Sequence, residues 1–138
     1  MKTMLVIAAM LSLAACASRG PTDADRLAMI LAHAGEPVPK IRNYNAMGWN
    51  RVDDDHVLLN MRPGETWLMR LSGPCLDWGS GAQVLGLSSQ GPYLMAKLDQ
   101  VLVNGSPISC RIEEIRPVDN KALRAAESAV RDQAANAR

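Results

Sequence analysis

The stretch Thr66-Trp-Leu-Met-Arg-Leu-Ser-Gly-Pro-Cys75 decides how the rest of the chain is read. Trp67, Met69 and Leu71 fall on one side of a two-residue alternation, and Thr66, Leu68 and Arg70 on the other, which is the pattern of a half-buried strand. Gly73-Pro74 turns the chain out of this strand and delivers Cys75. Upstream, Val57, Leu59 and Met61 share one face of a strand from His56 to Met61, and Arg62-Pro63-Gly64-Glu65 sets Pro and Gly where a type II turn needs them. The two strands are therefore expected to form a hairpin.

The period of two extends over Pro39 to Arg116. It predicts strands at Ile41–Met47, Trp49–Val52, Gln83–Ser88, Tyr93–Leu98 and Val101–Val103, and a last one from Ile108 through Ile112 after an Asn104-Gly105 turn. Ile115 breaks the alternation of Ile108, Cys110 and Ile112, which predicts a bulge near Glu113 and Glu114. Outside this region the period changes to that of a helix. Leu27, Ile30, Leu31 and Ala34 form a stripe behind a cap at Thr22 or Asp23, and Gly35 with Pro37 ends it. Asp119 caps a closing helix with a thin stripe of Leu123, Ala126, Val130 and Ala134, Val118 and Leu123 standing at staple spacing. The expected fold class is α+β: a strongly bent antiparallel sheet or small barrel of six to eight short strands, with an N-terminal and a C-terminal helix.

A chain of 138 residues, 48% hydrophobic and 21% charged, allows one small core. It contains no Phe, so Leu, Val, Ile and Met must fill that core, and Met29, Met47, Met61, Met69 and Met95 are read as packing residues rather than thioether ligands for copper.

The amino terminus reads as a targeting segment: Lys2, an apolar run from Met4 to Leu13, then Leu13-Ala14-Ala15-Cys16. The run is about ten residues, half of the roughly 20 that a spanning helix needs. Leu-Ala-Ala-Cys resembles the bacterial lipobox, which implies cleavage before Cys16 and acylation of that residue. Residues 1–15 are then a lipoprotein signal peptide, 16–21 a lipid-anchored tether and 22–138 a single domain. The absence of Asp at the second position after Cys16 resembles the outer-membrane sorting pattern, so the expected address is the cell envelope, anchored in the outer membrane and facing the periplasm.

Removing residues 1–15 takes away Lys2 and no acid, leaving 14 basic against 14 acidic side chains. A nucleic-acid partner needs a basic face, and no Lys/Arg run supplies one. Setting Cys16 aside leaves Cys75 and Cys110, an even pair in an oxidising compartment, which reads as one disulfide; a metal or redox pair would call for C-x-x-C spacing.

Catalytic signals are thin. Glu113 and Glu114 are adjacent on a strand and would ordinarily face opposite ways, Ser88 sits in a segment one residue too long for a nucleophile elbow, and Asp53-Asp54-Asp55 reads as a charged turn rather than a calcium loop. No cofactor is expected. Trp78, in the loop after Cys75, reads as a lid on the core, and His33 as a surface residue near a helix C-terminus. Arg62, Arg70, Arg111 and Arg116 flank the cysteines, and Arg70 and Arg111 each fall one residue from a core position. With Glu113 they could line a groove on the outer sheet face, suited to a carboxylate or phosphate, unless surface acids pair with them instead.

Gly73-Pro74-Cys75, Asp99-Gln-Val-Leu-Val103, Cys110-Arg-Ile-Glu-Glu-Ile-Arg-Pro117 and Lys121-Ala-Leu-Arg-Ala-Ala126 together resemble a family of small proteobacterial lipoproteins, domain-of-unknown-function family 6491. The resemblance runs from Asp25 to about Ala126 and supports the lipoprotein and disulfide readings, but implies no activity, cofactor or catalytic residue. The expected role is a non-catalytic module that binds an envelope protein, glycan or small molecule, or that serves envelope structure. The alternative is an enzyme with a cleft built from sheet-face Arg and Glu residues.

Overall fold

The computed structural model describes residues 20–76, 85–103 and 107–137. Cys16 and the segment before it, the Trp78 loop, the start of the strand expected at Gln83 and the Asn104-Gly105 turn lie outside the described residues. In order, the elements are α1 (Asp23–Ala32), β1 (Lys40–Arg42), β2 (Gly48–Arg51), β3 (His56–Arg62), β4 (Glu65–Leu71), β5 (Leu85–Leu87), β6 (Tyr93–Met95), β7 (Gln100–Val103), β8 (Ser109–Val118) and α2 (Asn120–Asn136). The fold is α+β. Six strands form an antiparallel sheet in the order β2-β3-β4-β8-β7-β5, and β1 pairs with β6 in a separate two-stranded ribbon.

The expected hairpin is β3–β4, with Val57 opposite Met69 and Leu59 opposite Trp67, and Gly64 takes the positive φ, 77°, that the turn demands. β8 is the spine of the sheet. Its second half pairs with β4 along one edge and, along the other, accepts hydrogen bonds from Gly35 (2.8 Å, to Pro117 O) and Val38 (2.8 Å, to Ile115 O). Its first half pairs with β7. The sheet curls until its edges approach: β2 (Trp49) and β5 (Leu85, Leu87) line one small cavity of about 80 Å³, which makes the sheet a nearly closed barrel. Apart from this cavity the interior is occupied by side chains, among them Val57, Met61, Met69, Leu71, Val101, Ile112 and Ile115, all buried.

A second core lies outside the barrel wall. Leu58 and Leu68 face away from the interior, beside Val118 of β8, and α1 and α2 cover them with Ile30 and Leu123. This explains the apolar Leu68 on the otherwise polar side of β4. α1 begins with a complete capping box, Thr22 Oγ1 accepting from Asp25 N (3.1 Å) and Asp25 from Thr22 N (3.0 Å). Its buried face differs from the expected stripe by one position, since Leu31 is 44% exposed and Met29 packs inward instead. Val118 and Leu123 do share a cluster, as their spacing predicts.

Cys75 and Cys110 form a disulfide, their Cα atoms 6.2 Å apart, which ties the segment after β4 to the start of β8. Two other expectations change. The single strand expected over Ile41–Met47 stops at Arg42, where Asn43 Oδ1 accepts from Asn45 N (3.2 Å) and Asn45 adopts φ 63°, a side-chain turn that ends extension. Met61 and Met69 fill the core, but Met47 (66% exposed) and Met95 stand at the surface.

Candidate functional site

Two groups of polar side chains stand on the outside of the barrel. The first contains the arginines singled out in the sequence. Because Leu71 and Ile112 face inward, Arg70 and Arg111 face outward, on adjacent strands β4 and β8. The expected bulge is present: Arg70 pairs with Glu114 and Leu71 with Ile112, so Glu113 is the extra residue. Its consequence corrects the expectation that Glu113 and Glu114 part. With Ile112 and Ile115 both in the core, the two glutamates share the outer face.

That face is neutralised by its own members. Arg111 pairs with Glu113 (2.7 Å), Arg70 with Glu114 (3.8 Å), and Arg116 also with Glu114. Arg62, at the end of β3, pairs with Glu65 (2.7 Å), which also accepts from Trp67 Nε1 (3.0 Å). Burial raises the Glu65 carboxyl, but these two hydrogen bonds outweigh it and hold the group below its ordinary range. Arg70, Arg111 and Glu113 thus share a face, with each guanidinium already met by a carboxylate. One residue joins them that sequence reasoning passed over: His56 on β3 lies directly across from Arg70.

His56 belongs to the turn of three aspartates. Its Nδ1 lies 2.9 Å from Asp53 Oδ1 and 2.9 Å from Asp55 Oδ1, so a ring nitrogen flanked by carboxylate oxygens serves as the donor. Asp53 also accepts from the backbone N–H of Asp55 (3.0 Å) and of His56 (2.7 Å). Burial pushes the Asp53 carboxyl up, and the hydrogen bonds from Asp55 and His56 more than reverse it, leaving the group lowered. The run is the charged turn expected, and two of its three aspartates converge on one imidazole. The turn is also a structural hub, its carbonyls accepting from Leu71 N (Asp55 O, 2.8 Å) and Leu76 N (Asp54 O, 3.0 Å), while Arg51 joins Asp54 (2.6 Å) to Asp23 of α1 (3.0 Å).

The second group surrounds the β1–β6 ribbon. Ile41 and Leu94 are buried on one side, leaving Lys40, Arg42, Tyr93 and Met95 on the other. Tyr93, 40% exposed, has the Lys40 ammonium 4.6 Å and the Arg42 guanidinium 5.6 Å from its ring centre. Beside it opens a cleft of about 320 Å³ walled by Ser88, Ser89, Gln90, Tyr93, Lys40 and Asp99. Sequence reasoning missed this site because Arg42 and Tyr93 meet across a ribbon joining distant segments, and no local spacing announces that pairing.

The charges of the two groups differ. Each arginine of β2, β3, β4 and β8 has a carboxylate partner. Among the described residues, Lys40 and Arg42 of β1 have none, and the charged heads of both lie over the Tyr93 ring instead.

A small, nearly closed antiparallel barrel with two helices on its wall and one disulfide defines the class structurally. The model of a family of unknown function, DUF6491, matches residues 1–134, and the chain belongs to that family. No curated protein and no solved structure matches the chain.

Proposed function

We propose that this protein is a non-catalytic binding module of the cell envelope, held to the outer membrane through acylated Cys16 and facing the periplasm. It takes its ligand on the outside of the barrel. The observation that supports this most directly is the contrast between the two polar groups. The barrel interior leaves only a cavity of about 80 Å³, and the arginines of the large sheet are spent on neighbouring carboxylates, whereas Lys40 and Arg42 carry charge at an open cleft and the Tyr93 ring that lines it. The lipobox and its apolar run support the anchor, and among the described residues no helix is long and apolar enough to cross a membrane.

Two measurements test the reading. Intact-mass analysis of the native protein should give a chain beginning at Cys16 with the added mass of acyl groups; a chain retaining residues 1–15 rejects the anchor. A thermal-shift screen against envelope glycans, peptides and metabolites should return ligands that stabilise the parent and fail to stabilise a Lys40→Gln/Arg42→Gln variant. A screen without hits, or hits indifferent to that variant, rejects binding at the ribbon. One observation favours the enzyme reading, the row of His56, Arg70 and Glu114 across β3, β4 and β8. Product formation from a bound ligand, abolished by His56→Ala, would establish it.

A further inference from the structure

We infer that the cleft at the β1–β6 ribbon recognises an acidic sugar, a pyranose carrying a carboxylate or a phosphate. This deepens the binding reading above and rests on it.

The walls of the cleft are held in place before any ligand arrives. Ser89 Oγ donates to Tyr93 O (2.5 Å), and Asn43 Nδ2 reaches the carbonyls of Ser89 (3.4 Å) and Gly91 (3.5 Å). Ser88 Oγ accepts from Gln100 N (2.8 Å), and Asp99 Oδ2 accepts from Met95 N (2.7 Å). These bonds tie the segment from Ser88 to Tyr93 to the end of β1 and the start of β7, so little ordering remains to oppose binding.

The cleft is bordered by side chains of both signs. Lys40 in the wall, and Arg42 over the ring of the lining residue Tyr93, lack carboxylate partners among the described residues. An ammonium and a guanidinium without counter-ions favour an anion there. Asp99 lines the same cleft, an acceptor-only group when ionised, whose committed bonds to Met95 N and Ser88 Oγ (3.4 Å) leave acceptor capacity. A carboxylate repels a bare anion but accepts hydrogen bonds from hydroxyls. The Gln90 amide adds donor and acceptor capacity, and the Tyr93 ring a rigid, partly apolar wall. One ligand satisfies both the cations and the acceptor: a ring with several hydroxyls and one acidic group.

The test is isothermal titration of the purified full chain with four probes. These are an amino-sugar disaccharide carrying a carboxylate, one carrying a phosphate, the neutral disaccharide, and inorganic phosphate alone. Saturable binding of at least one acidic disaccharide is expected, at least tenfold tighter than the neutral disaccharide or phosphate. Preference between the two acidic probes distinguishes a carboxylate-bearing source from a phosphate-bearing one. Lys40→Gln/Arg42→Gln should weaken binding at least tenfold and Tyr93→Ala should abolish it, while Arg70→Ala/Arg111→Ala should bind as the parent does. Circular dichroism and the melting temperature confirm that each variant is folded. If the neutral disaccharide binds as tightly as the acidic ones, or if the Lys40/Arg42 variant binds unchanged, the acidic-sugar assignment is wrong. If no sugar binds while the thermal-shift screen yields another ligand sensitive to Lys40 and Arg42, the assignment fails and the binding module stands.

Discussion

Glu113 and Glu114, adjacent in sequence, stand on the same face of β8, because Glu113 is the unpaired residue of a bulge and both its apolar flanks, Ile112 and Ile115, point into the barrel. The bulge thereby sets two acids among Arg70, Arg111 and Arg116. It also divides β8 energetically. Glu114→Gln should cost under about 1 kcal/mol, since partly exposed ion pairs contribute little. Ile115→Ala should cost about 2–5 kcal/mol by opening a cavity at a fully buried position. Urea unfolding measures both; a larger loss from Glu114 than from Ile115 would mean that the faces have been assigned the wrong way round.

The disulfide makes a separable contribution. Cys75 and Cys110 are 35 residues apart, and closing a loop of that size corresponds to about 4 kcal/mol of unfolded-state entropy. Both cysteines are buried, so alanine is the cleaner replacement than serine, which would bury a hydroxyl. Cys75→Ala/Cys110→Ala should lower the unfolding free energy by about 2–5 kcal/mol. A variant within about 1 kcal/mol of the parent would show that this cross-link does not hold the domain together.

How much of this was legible follows from where each signal lies. The β3–β4 hairpin could be read because alternation and the Pro63-Gly64 turn are local, and the bulge because Ile115 breaks a local rhythm. Leu58 and Leu68 looked like exceptions to alternation, since the helices that cover them come from the two ends of the chain. The outward facing of Arg70 and Arg111 followed from alternation. Their pairing with Glu114 and Glu113 depended on the strand register at the bulge, which the sequence does not spell out. The Tyr93 cleft was illegible for the same reason: it needs the pairing of β1 with β6. The early end of β1 did have a signal, Asn43 and Asn45 two apart, a common side-chain turn.

Acid should loosen the turns before it loosens the barrel. The Asp53 carboxyl is held below its ordinary value by Asp55 and His56 against the opposing effect of burial, and that of Glu65 by Arg62 and Trp67 against the same effect. The Asp25 carboxyl is held low by the Thr22 side chain and backbone. A carboxyl lowered on folding binds fewer protons in the native state than in the unfolded one, so stability rises with pH through this range. The contribution is complete above the unfolded carboxylate range and is lost as pH falls through that range to the lower native values. The contribution of these three carboxyls should therefore be constant from neutral pH to the upper edge of the carboxylate range and fall below it. Asp53→Asn should reduce the slope of that fall. An unchanged slope in Asp53→Asn would remove the Asp53–His56 turn from the acid response.

Two glycines should respond to alanine for different reasons. Gly64 has φ 77° and open space where a Cβ would stand, so Gly64→Ala strains only the backbone of the β3–β4 turn, at roughly 1–2 kcal/mol. Gly35 has no such conformation. A Cβ there would lie 2.9 Å from Pro117 Cγ, an atom of a rigid ring on the spine strand. The approach is close because Gly35 N donates to Pro117 O (2.8 Å), Ala34 bridges to Val118, and Asp119 N donates to His33 O (2.9 Å), binding the end of α1 to the end of β8. Relief requires the two segments to part, at a cost of about 1–3 kcal/mol as in other overpacked contacts. Amide exchange separates the two cases. Gly64→Ala should leave protection at Gly35 and Val38 unchanged relative to the rest of the sheet, whereas Gly35→Ala should lower it there first, because those N–H groups donate to β8. Equal protection at these two amides in parent and Gly35→Ala would mean that the α1–β8 junction tolerates the methyl group and that Pro117 gives way.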